Sequence, residues 1–128
     1  AYTAQRIAEL TRIPGKELAK TVIVKIDGQY AMAVLPASRR VDLDHLKSAL
    51  GADDVVLASE DEFKRLFPDC ELGAMPPFGN LYDMGVYVAE QLTEDDEIAF
   101  NAGSHTELVK MAYKDYATLV TPQVVSLT

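Results

Sequence analysis

The strongest constraint on the fold of this chain is a pair of strand-like segments joined by a two-residue turn. Residues 21–26 are apolar and rich in β-branched side chains, and residues 30–35 are apolar again. Asp27-Gly28 lies between the two segments, and this dipeptide favours the tight hairpin turn in which both central residues need positive φ. The sequence therefore predicts an antiparallel hairpin on which a sheet can assemble.

Two helices are predicted by the signals at their ends. Asp42 or Asp44 can begin a helix that Gly51 ends, because glycine adopts the left-handed conformation common just after a helix. Ser59 and Glu62 have the spacing of a capping box, in which each side chain accepts a hydrogen bond from the other residue's backbone N–H. The remaining pattern predicts helices at residues 4–10 and 113–119, a buried strand at 55–57, and strands at 86–88, 98–100, 108–111 and 124–125.

These elements favour an α+β (mixed α/β) fold over a purely helical or purely β one. Strands outnumber helices, and several are joined by turns short enough for antiparallel pairing. At 128 residues, 48% of them hydrophobic, the chain fits one domain with its own core. We expect a single domain over residues 1–128, built on a curved, mostly antiparallel sheet with flanking helices.

Residues 73–79, Gly-Ala-Met-Pro-Pro-Phe-Gly, form a rigid loop between the two halves of the chain. Pro76 and Pro77 restrict φ and lack backbone donors, whereas Gly73 permits positive φ and leaves the backbone open to a ligand. From the segment alone, a tight surface turn and a ligand-holding loop are equally good interpretations. Met75 and Phe78 are most simply apolar residues that anchor the loop to the core, and the alternative is that they line a pocket.

Charge and cysteine content limit the possible partners and the compartment. A single cysteine excludes an internal disulfide, which favours a reducing, cytoplasmic environment, and no apolar run reaches the roughly 20 residues that span a bilayer. The formal net charge of −8 argues against a general nucleic-acid surface, because binding to phosphate depends on Lys and Arg. Contact with RNA must then be confined to a few cations, such as Lys16, Lys20, Lys25, Arg39 and Arg40.

Familiar catalytic and cofactor motifs are missing from the sequence. His45 and His105 lie far apart, the chain has no HExxH or CxxC spacing, and Ser104 lacks the GxSxG elbow of a hydrolase. No dinucleotide or phosphate-loop fingerprint occurs either. We therefore predict neither a metal nor a cofactor.

Lys20 and His105 are the polar side chains with the most ambiguous settings. Lys20 opens an apolar strand, so its ammonium must reach solvent, a partner or a polar cavity. On residue statistics alone a solvated edge lysine is the commoner outcome. His105 alone is more simply a hydrogen-bonded structural residue than a catalytic base.

Four segments together resemble the YbaK and prolyl-tRNA synthetase-associated editing domain family, whose members hydrolyse mischarged aminoacyl-tRNA. They are Ala-Lys-Thr-Val at 19–22, Ala-Val-Leu-Pro at 33–36, the GxxxP loop at 73–77, and Phe-Asn-Ala-Gly-Ser-His at 100–105. The resemblance covers nearly the whole chain. Family members usually carry a helix and a strand ahead of these segments, whereas this chain opens directly at Ala1-Tyr2-Thr3. The resemblance therefore implies either that an N-terminal segment is lacking or that short versions of the family exist.

The resemblance implies a site made of Lys20, Gly73 and His105. Lys20 would supply charge to the oxyanion or to the terminal phosphate, and backbone groups from Gly73 to Pro77 would position the ester. His105 would shape a small-side-chain pocket, with a role as base held in reserve. The substrate-binding residues implied are Met75, Pro77, Phe78, Gly103 and Ser104.

The implied activity is trans-editing: hydrolysis of a mischarged small amino acid from tRNA, with alanyl-tRNA for proline as the best candidate. The partners are then the acceptor end of the tRNA and an aminoacyl-tRNA synthetase. Two alternatives stay open at this point. One is a non-catalytic module that binds charged tRNA ends or a synthetase, and the other is a hydrolase of a different small acyl ester.

Overall fold

A computed structural model of the protein describes residues 18–71, 73–94 and 96–128. The helix predicted at residues 4–10 lies outside these ranges. The strands are β1 (Ala19–Ile26), β2 (Gln29–Pro36), β3 (Val55–Leu57), β4 (Gly85–Ala89), β5 (Glu97–Asn101), β6 (Leu108–Ala112) and β7 (Gln123–Val125). The helices are α1 (Leu43–Leu50), α2 (Glu60–Leu66), the short α3 (Glu90–Thr93) and α4 (Tyr113–Val120), and a 3₁₀ turn covers Gly79–Leu81.

Five strands form one sheet in the order β3-β1-β2-β4-β7, and β5 and β6 pair separately. The β1–β2, β1–β3 and β5–β6 pairings are antiparallel, whereas β4 runs parallel to both β2 and β7. A parallel bridge between Leu18 and Ala99 brings β5 to the start of β1. The predicted α+β fold with a mostly antiparallel sheet is confirmed.

The predicted hairpin is present and slightly longer than expected. β1 and β2 pair from Ala19 opposite Pro36 to Ile26 opposite Gln29. Asp27 and Gly28 take positive φ values of 49° and 85°, as the two-residue turn requires. The Asp27 carboxylate also accepts the backbone N–H groups of residues 53 and 54, at 3.0 and 2.8 Å, which holds the chain entering β3 against the turn.

Both predicted helix caps are present. Asp42 caps α1 by accepting the backbone N–H of His45, and Gly51 ends the helix with φ of 63°. Ser59 and Glu62 make both hydrogen bonds of the capping box at the start of α2. The strands predicted near residues 87, 99, 110 and 124 and the helix from residue 113 are confirmed as β4, β5, β6, β7 and α4.

The prediction of a buried strand at residues 55–57 is only partly right. Val55 is buried, but Val56 and Leu57 are 39% and 52% exposed. The reason is that β3 is a three-residue edge strand, paired on one side to β1 and open on the other. Apolar character alone does not distinguish such an edge from a central strand.

Both faces of the five-stranded sheet are covered, as the alternation along β2 shows. Met32 and Val34 pack in one buried cluster, with α2, β5 and α4, while Ala33 and Leu35 pack in another with Leu46 of α1. The candidate site described next lies on the α2 side of the sheet. Within the described ranges, no helix is long and apolar enough to cross a membrane.

Candidate functional site

Two loops lie side by side at the edge of the α2 layer: residues 73–79 with Glu71, called here the first loop, and residues 101–107, the second loop. The backbone N–H of Gly103 donates to the carbonyl of Ala74, and the N–H of Glu71 donates to the carbonyl of Gly103, both at 2.8 Å. The Glu71 carboxylate accepts the backbone N–H of His105 at 3.0 Å. These bonds hold two segments together that are about thirty residues apart in the chain.

Gly73 and His105, both predicted as catalytic, are brought together by this pairing. A Cβ built on Gly73 would lie 3.8 Å from Cε1 of His105. Gly73 and Gly103 have φ values of +81° and +101°, which side chains rarely adopt. The positive φ values favour glycine at both positions, whereas a Cβ at Gly73 would make only an ordinary van der Waals contact with the imidazole.

A cavity of about 230 Å³ opens beside Gly73. It lies where β1 runs past the end of β3, since the N–H of Ala58, the first residue after β3, donates to the carbonyl of Ile23 at 3.0 Å. Most of its lining is apolar, and Thr21 and Ser59 are among the polar residues that contribute to it. The lining residues are Thr21, Val22, Ile23, Leu57, Ala58, Ser59, Glu60, Phe63, Gly73 and Met75.

Lys20 lies on β1 directly before Thr21 and opposite Leu35. It is half-buried and is not among the residues that line the cavity, although Thr21 and Val22 are. Burial lowers the pKa of the Lys20 ammonium, and the nearby Arg40 guanidinium lowers it further. Because side chains alternate along a strand, Lys20 shares the α1 face of the sheet with Leu35 and Val22, not the face of Thr21. Val22 also lines the cavity, which opens at the part of β1 that β3 does not cover, so Lys20 is related to the cavity only around this open strand edge.

Of the first-loop residues predicted to bind substrate, only Met75 lines the cavity. The Pro77 carbonyl accepts a hydrogen bond from the Tyr116 hydroxyl at 2.7 Å. The Phe78 ring packs edge-on against Phe100 and Tyr116, with centroids 5.4 and 5.5 Å away. Pro77 and Phe78 thus anchor the loop to the core, and their contact with substrate stays a prediction.

In the second loop, Ser104 and Gly103 lie next to His105 and are half-buried. The Ser104 hydroxyl lies 3.2 Å from the hydroxyl of Thr106, and the Ser104 carbonyl accepts the N–H of Glu107 at 3.3 Å. His45, by contrast, is exposed on α1, outside both loops and the cavity lining. Among residues 18–71, 73–94 and 96–128 no group of three or more His, Cys, Asp or Glu side chains is arranged to hold a metal ion.

Glu62 ties the cavity wall to the hairpin. Its carboxylate accepts hydrogen bonds from the Tyr30 hydroxyl, from the Ser59 backbone and from Lys25 Nζ, the last two at 3.0 Å. The Tyr30 bond, followed by the Ser59 and Lys25 bonds, lowers the pKa of Glu62 to about 2. The sequence predicts the cap but not the cross-links to β1 and β2, because Lys25 and Tyr30 are distant in the chain.

Glu71 is the other contributor that sequence reasoning missed. It is exposed and it follows Cys70 in a segment without a helix or strand, so no local pattern marks it. Its importance comes from three hydrogen bonds, to Gly103, Ala74 and His105. Only the folded chain brings these groups within reach.

Solved structures share this fold closely. One described as a candidate trans-editing enzyme for prolyl-tRNA synthetase matches with a TM-score of 0.87 at 21% identity, covering 98% of this chain and 79% of its own. At that identity the likeness shows the fold alone.

Relatives are also found by sequence. The "Multifunctional Ser/Thr-tRNA deacylase ProXp-y" of Escherichia coli K12 is 35% identical over 114 residues, which are 84% of this chain and 67% of the relative. The proline–tRNA ligase of Staphylococcus saprophyticus is 33% identical over 96 residues, 73% of this chain but only 16% of the ligase. The chain therefore matches about two thirds of the deacylase and a small part of the synthetase.

Fold and relatives together define the class of protein as hydrolases that act on the ester bond of aminoacyl-tRNA. The profile of the aminoacyl-tRNA editing domain matches residues 1–119. The chain belongs to this family, and the family predicted from the four sequence segments is confirmed.

Proposed function

We propose that this chain acts in trans to remove a wrongly attached small amino acid from tRNA, with alanyl-tRNA for proline as the first candidate substrate. The observation that carries the proposal is the meeting of Gly73 and His105 beside a small, largely apolar cavity. A bare glycine backbone beside a cavity lets an ester approach while its side chain enters the pocket.

The size and lining of the cavity support a small apolar side chain. At about 230 Å³ it is smaller than the roughly 300–1,000 Å³ that accommodate drug-sized ligands, so it suits an aminoacyl group rather than a whole aminoacyl nucleotide. Val22, Ile23 and Phe63 offer no polar atoms. A methyl group enters such a lining without penalty, whereas an unpaired polar group loses its hydration.

Hydrolysis of the ester requires water to attack the carbonyl carbon and the bond to the ribose oxygen to break. The ribose oxygen is the leaving group and takes one proton of the attacking water, the other proton passes to solvent, and the amino acid is released as its carboxylate. Lys20 would stabilise the negative charge that develops on the carbonyl oxygen, since a preformed cation in a partly desolvated setting is effective there. The first loop would hold the ester in line for attack.

His105 is not among the residues that line the cavity, but it lies beside Gly73, and from there it would bound the space that the substrate side chain occupies, with a role as base as the alternative. Truncation of His105 separates the two roles. As a wall, His105→Ala enlarges the pocket and broadens the range of amino acids removed. As a base, the same change lowers the rate for every amino acid equally, and the profile of substrates stays the same.

Seryl- and threonyl-tRNA are the second candidate, and two observations favour them. The Escherichia coli relative is named as a deacylase of Ser- and Thr-tRNA. In addition, the buried Thr21 is among the residues that line the cavity, and a threonine hydroxyl can pair with a substrate hydroxyl that a wholly apolar lining would leave unpaired.

The test is release of amino acid from a panel of tRNAs charged with alanine, serine, threonine and, as the correct pair, proline. We expect alanine on the proline tRNA to be released fastest and proline to be spared. Thr21→Val, which removes the hydroxyl at nearly constant volume, separates the candidates: it should leave alanine release intact and slow serine and threonine release about tenfold, the effect of about 1.4 kcal/mol for one hydrogen bond. No release from any member of the panel would contradict the proposal.

A further inference from the structure

Positive charge gathers at one end of the hairpin, in an otherwise acidic chain. Residues 37–40, called here the basic turn, follow β2 and carry Arg39 and Arg40, both exposed. The N–H of Ala37 donates to the carbonyl of Leu18 at 2.8 Å, and the N–H of Arg39 donates to that of Pro36 at 3.0 Å. These bonds fold the turn back against the end of β1 that carries Lys20.

The cations in this region are close enough to repel one another. Arg40 contributes to the lowered pKa of Lys20. Within the described ranges the ion pairs are Lys25 with Glu62 and Lys110 with Glu97, so Lys20 and the arginines of the basic turn take part in no ion pair there. Like charges held together cost free energy that a bound anion would recover.

The order of groups along β1 gives this surface a direction. Going along β1 from the cavity towards the N-terminal end of the strand, Thr21 lines the cavity and Lys20 comes next. Ala19 comes after Lys20 and pairs with Pro36 at the base of the basic turn. We propose that the basic turn binds the phosphates of the single-stranded acceptor end of tRNA, so that the RNA crosses Lys20 before its aminoacyl group enters the cavity. This proposal rests on the proposed function and adds to it the path of the RNA.

Acidic side chains limit the surface on the far side of Arg40. Asp42 and Asp44 line a shallow depression together with Arg40 and Val41. The Asp42 carboxylate accepts the backbone N–H of His45 at 3.0 Å and stays in place as a helix cap. Because carboxylates repel phosphate, the RNA is confined to the side of Arg40 that faces Lys20.

The proposal is tested by binding of an uncharged RNA hairpin that ends in a single-stranded CCA, over a range of salt concentrations. The test variant is Arg39→Ala with Arg40→Ala. The control is Lys47→Ala with Lys114→Ala, which removes the same charge from exposed positions on α1 and α4. Melting temperatures should be unchanged for both, since all four side chains are exposed.

Each phosphate contact on a single strand contributes about 0.7 to the slope of log affinity against log salt. Loss of two contacts should therefore weaken binding roughly 10- to 30-fold at about 0.1 M salt and lower the slope by about 1.4. The control should bind within about twofold of the unaltered protein. With a charged RNA, the arginine variant should show a raised KM and an unchanged kcat.

If the arginine variant and the lysine control weaken RNA binding equally, only net charge matters. If the arginine variant does not weaken RNA binding, the RNA binds elsewhere. Either result overturns the proposal. The binding assay uses uncharged RNA, so it stays informative if no charged tRNA is hydrolysed. In that case the proposed function fails while the RNA path is tested separately.

Discussion

The β1–β2 hairpin and the pair formed by the first and second loops, called here the loop pair, are held in contrasting ways. The hairpin is a continuous ladder from residues 19 and 36 to residues 26 and 29, and both of its faces are packed. The two loops are joined by hydrogen bonds from Glu71 and Gly103 and by backbone conformations that only glycine adopts easily. The hairpin tolerates the loss of one hydrogen bond because many others remain. The geometry of the loop pair depends on a few hydrogen bonds, so the loss of any one of them changes it.

This contrast predicts that stability and activity respond to different residues. Substitutions in the sheet layers should lower the free energy of unfolding and leave the rate of the folded enzyme intact. Substitutions in the loop pair should lower the rate of the folded enzyme by more than their effect on stability explains. Four changes, in order of expected effect, test that separation.

Leu46→Ala should give the largest loss of stability. Leu46 is fully buried between α1 and the sheet face opposite the cavity. Truncation of such a leucine costs about 2–5 kcal/mol through lost burial and the cavity left behind. Urea unfolding measures the loss, and kcat at a temperature where the variant is folded should equal that of the unaltered enzyme. A matching fall in kcat would show that the sheet and the site are not separable.

Gly73→Ala should lower activity about 100-fold, the effect of roughly an ångström of misplacement at the reacting centre. Its control is Gly28→Ala in the hairpin turn, because φ is +81° at Gly73 and +85° at Gly28. Both changes should cost about 1–2 kcal/mol of stability for a left-handed residue with a side chain. The measurements are the deacylation rate and the melting temperature of each variant. If Gly73→Ala and Gly28→Ala lose activity equally, the first loop has only a structural role.

Glu71→Ala should lower kcat about tenfold, or about 1.4 kcal/mol, by freeing the backbone of His105. Glu71→Gln keeps an oxygen acceptor and should restore most of the rate. Positioning, rather than charge, is then the role of Glu71. Failure of glutamine to rescue the rate would assign the effect to the negative charge instead.

Glu62 should affect stability in a pH-dependent way and activity least. Its pKa is about 2 in the folded protein against an ordinary 4.5, so its contribution is complete above about pH 4.5 and disappears as pH falls toward 2. The difference in melting temperature between the unaltered protein and Glu62→Gln should shrink over that window. A difference that stays constant from pH 6 to about pH 2 would mean that Glu62 is not held in its ionised form.

Much of the fold follows from local chemistry. The Asp27-Gly28 turn, the Asp42 cap and the Ser59–Glu62 box each act over a few residues, and each is where the sequence predicts it. The parallel pairing of β4 with β2 and β7 was not predicted, since it joins segments separated by long stretches of chain. The exposure of Leu57 was missed for the same reason, because an edge position is a property of the whole sheet.

The site was less accessible from sequence alone. Resemblance to a family pointed to Lys20, Gly73 and His105, and the fold brings the last two together, while their catalytic roles remain predictions. The pairing of the loops through Glu71 has no sequence signature. The cavity itself arises where β3 ends and β1 continues, which depends on the length of an edge strand.

The central claim is that Lys20 and the loop pair, rather than the surrounding scaffold, carry ester hydrolysis. The most direct measurement is single-turnover deacylation of alanyl-tRNA for proline by the unaltered protein, by Lys20→Ala and by Lys110→Ala, an exposed lysine on β6. Loss of one preorganised stabiliser of the oxyanion typically lowers the rate about 100- to 1,000-fold. We predict that loss for Lys20→Ala at an unchanged melting temperature, with Lys110→Ala fully active. A folded Lys20→Ala protein that hydrolyses the ester at the normal rate would contradict the account.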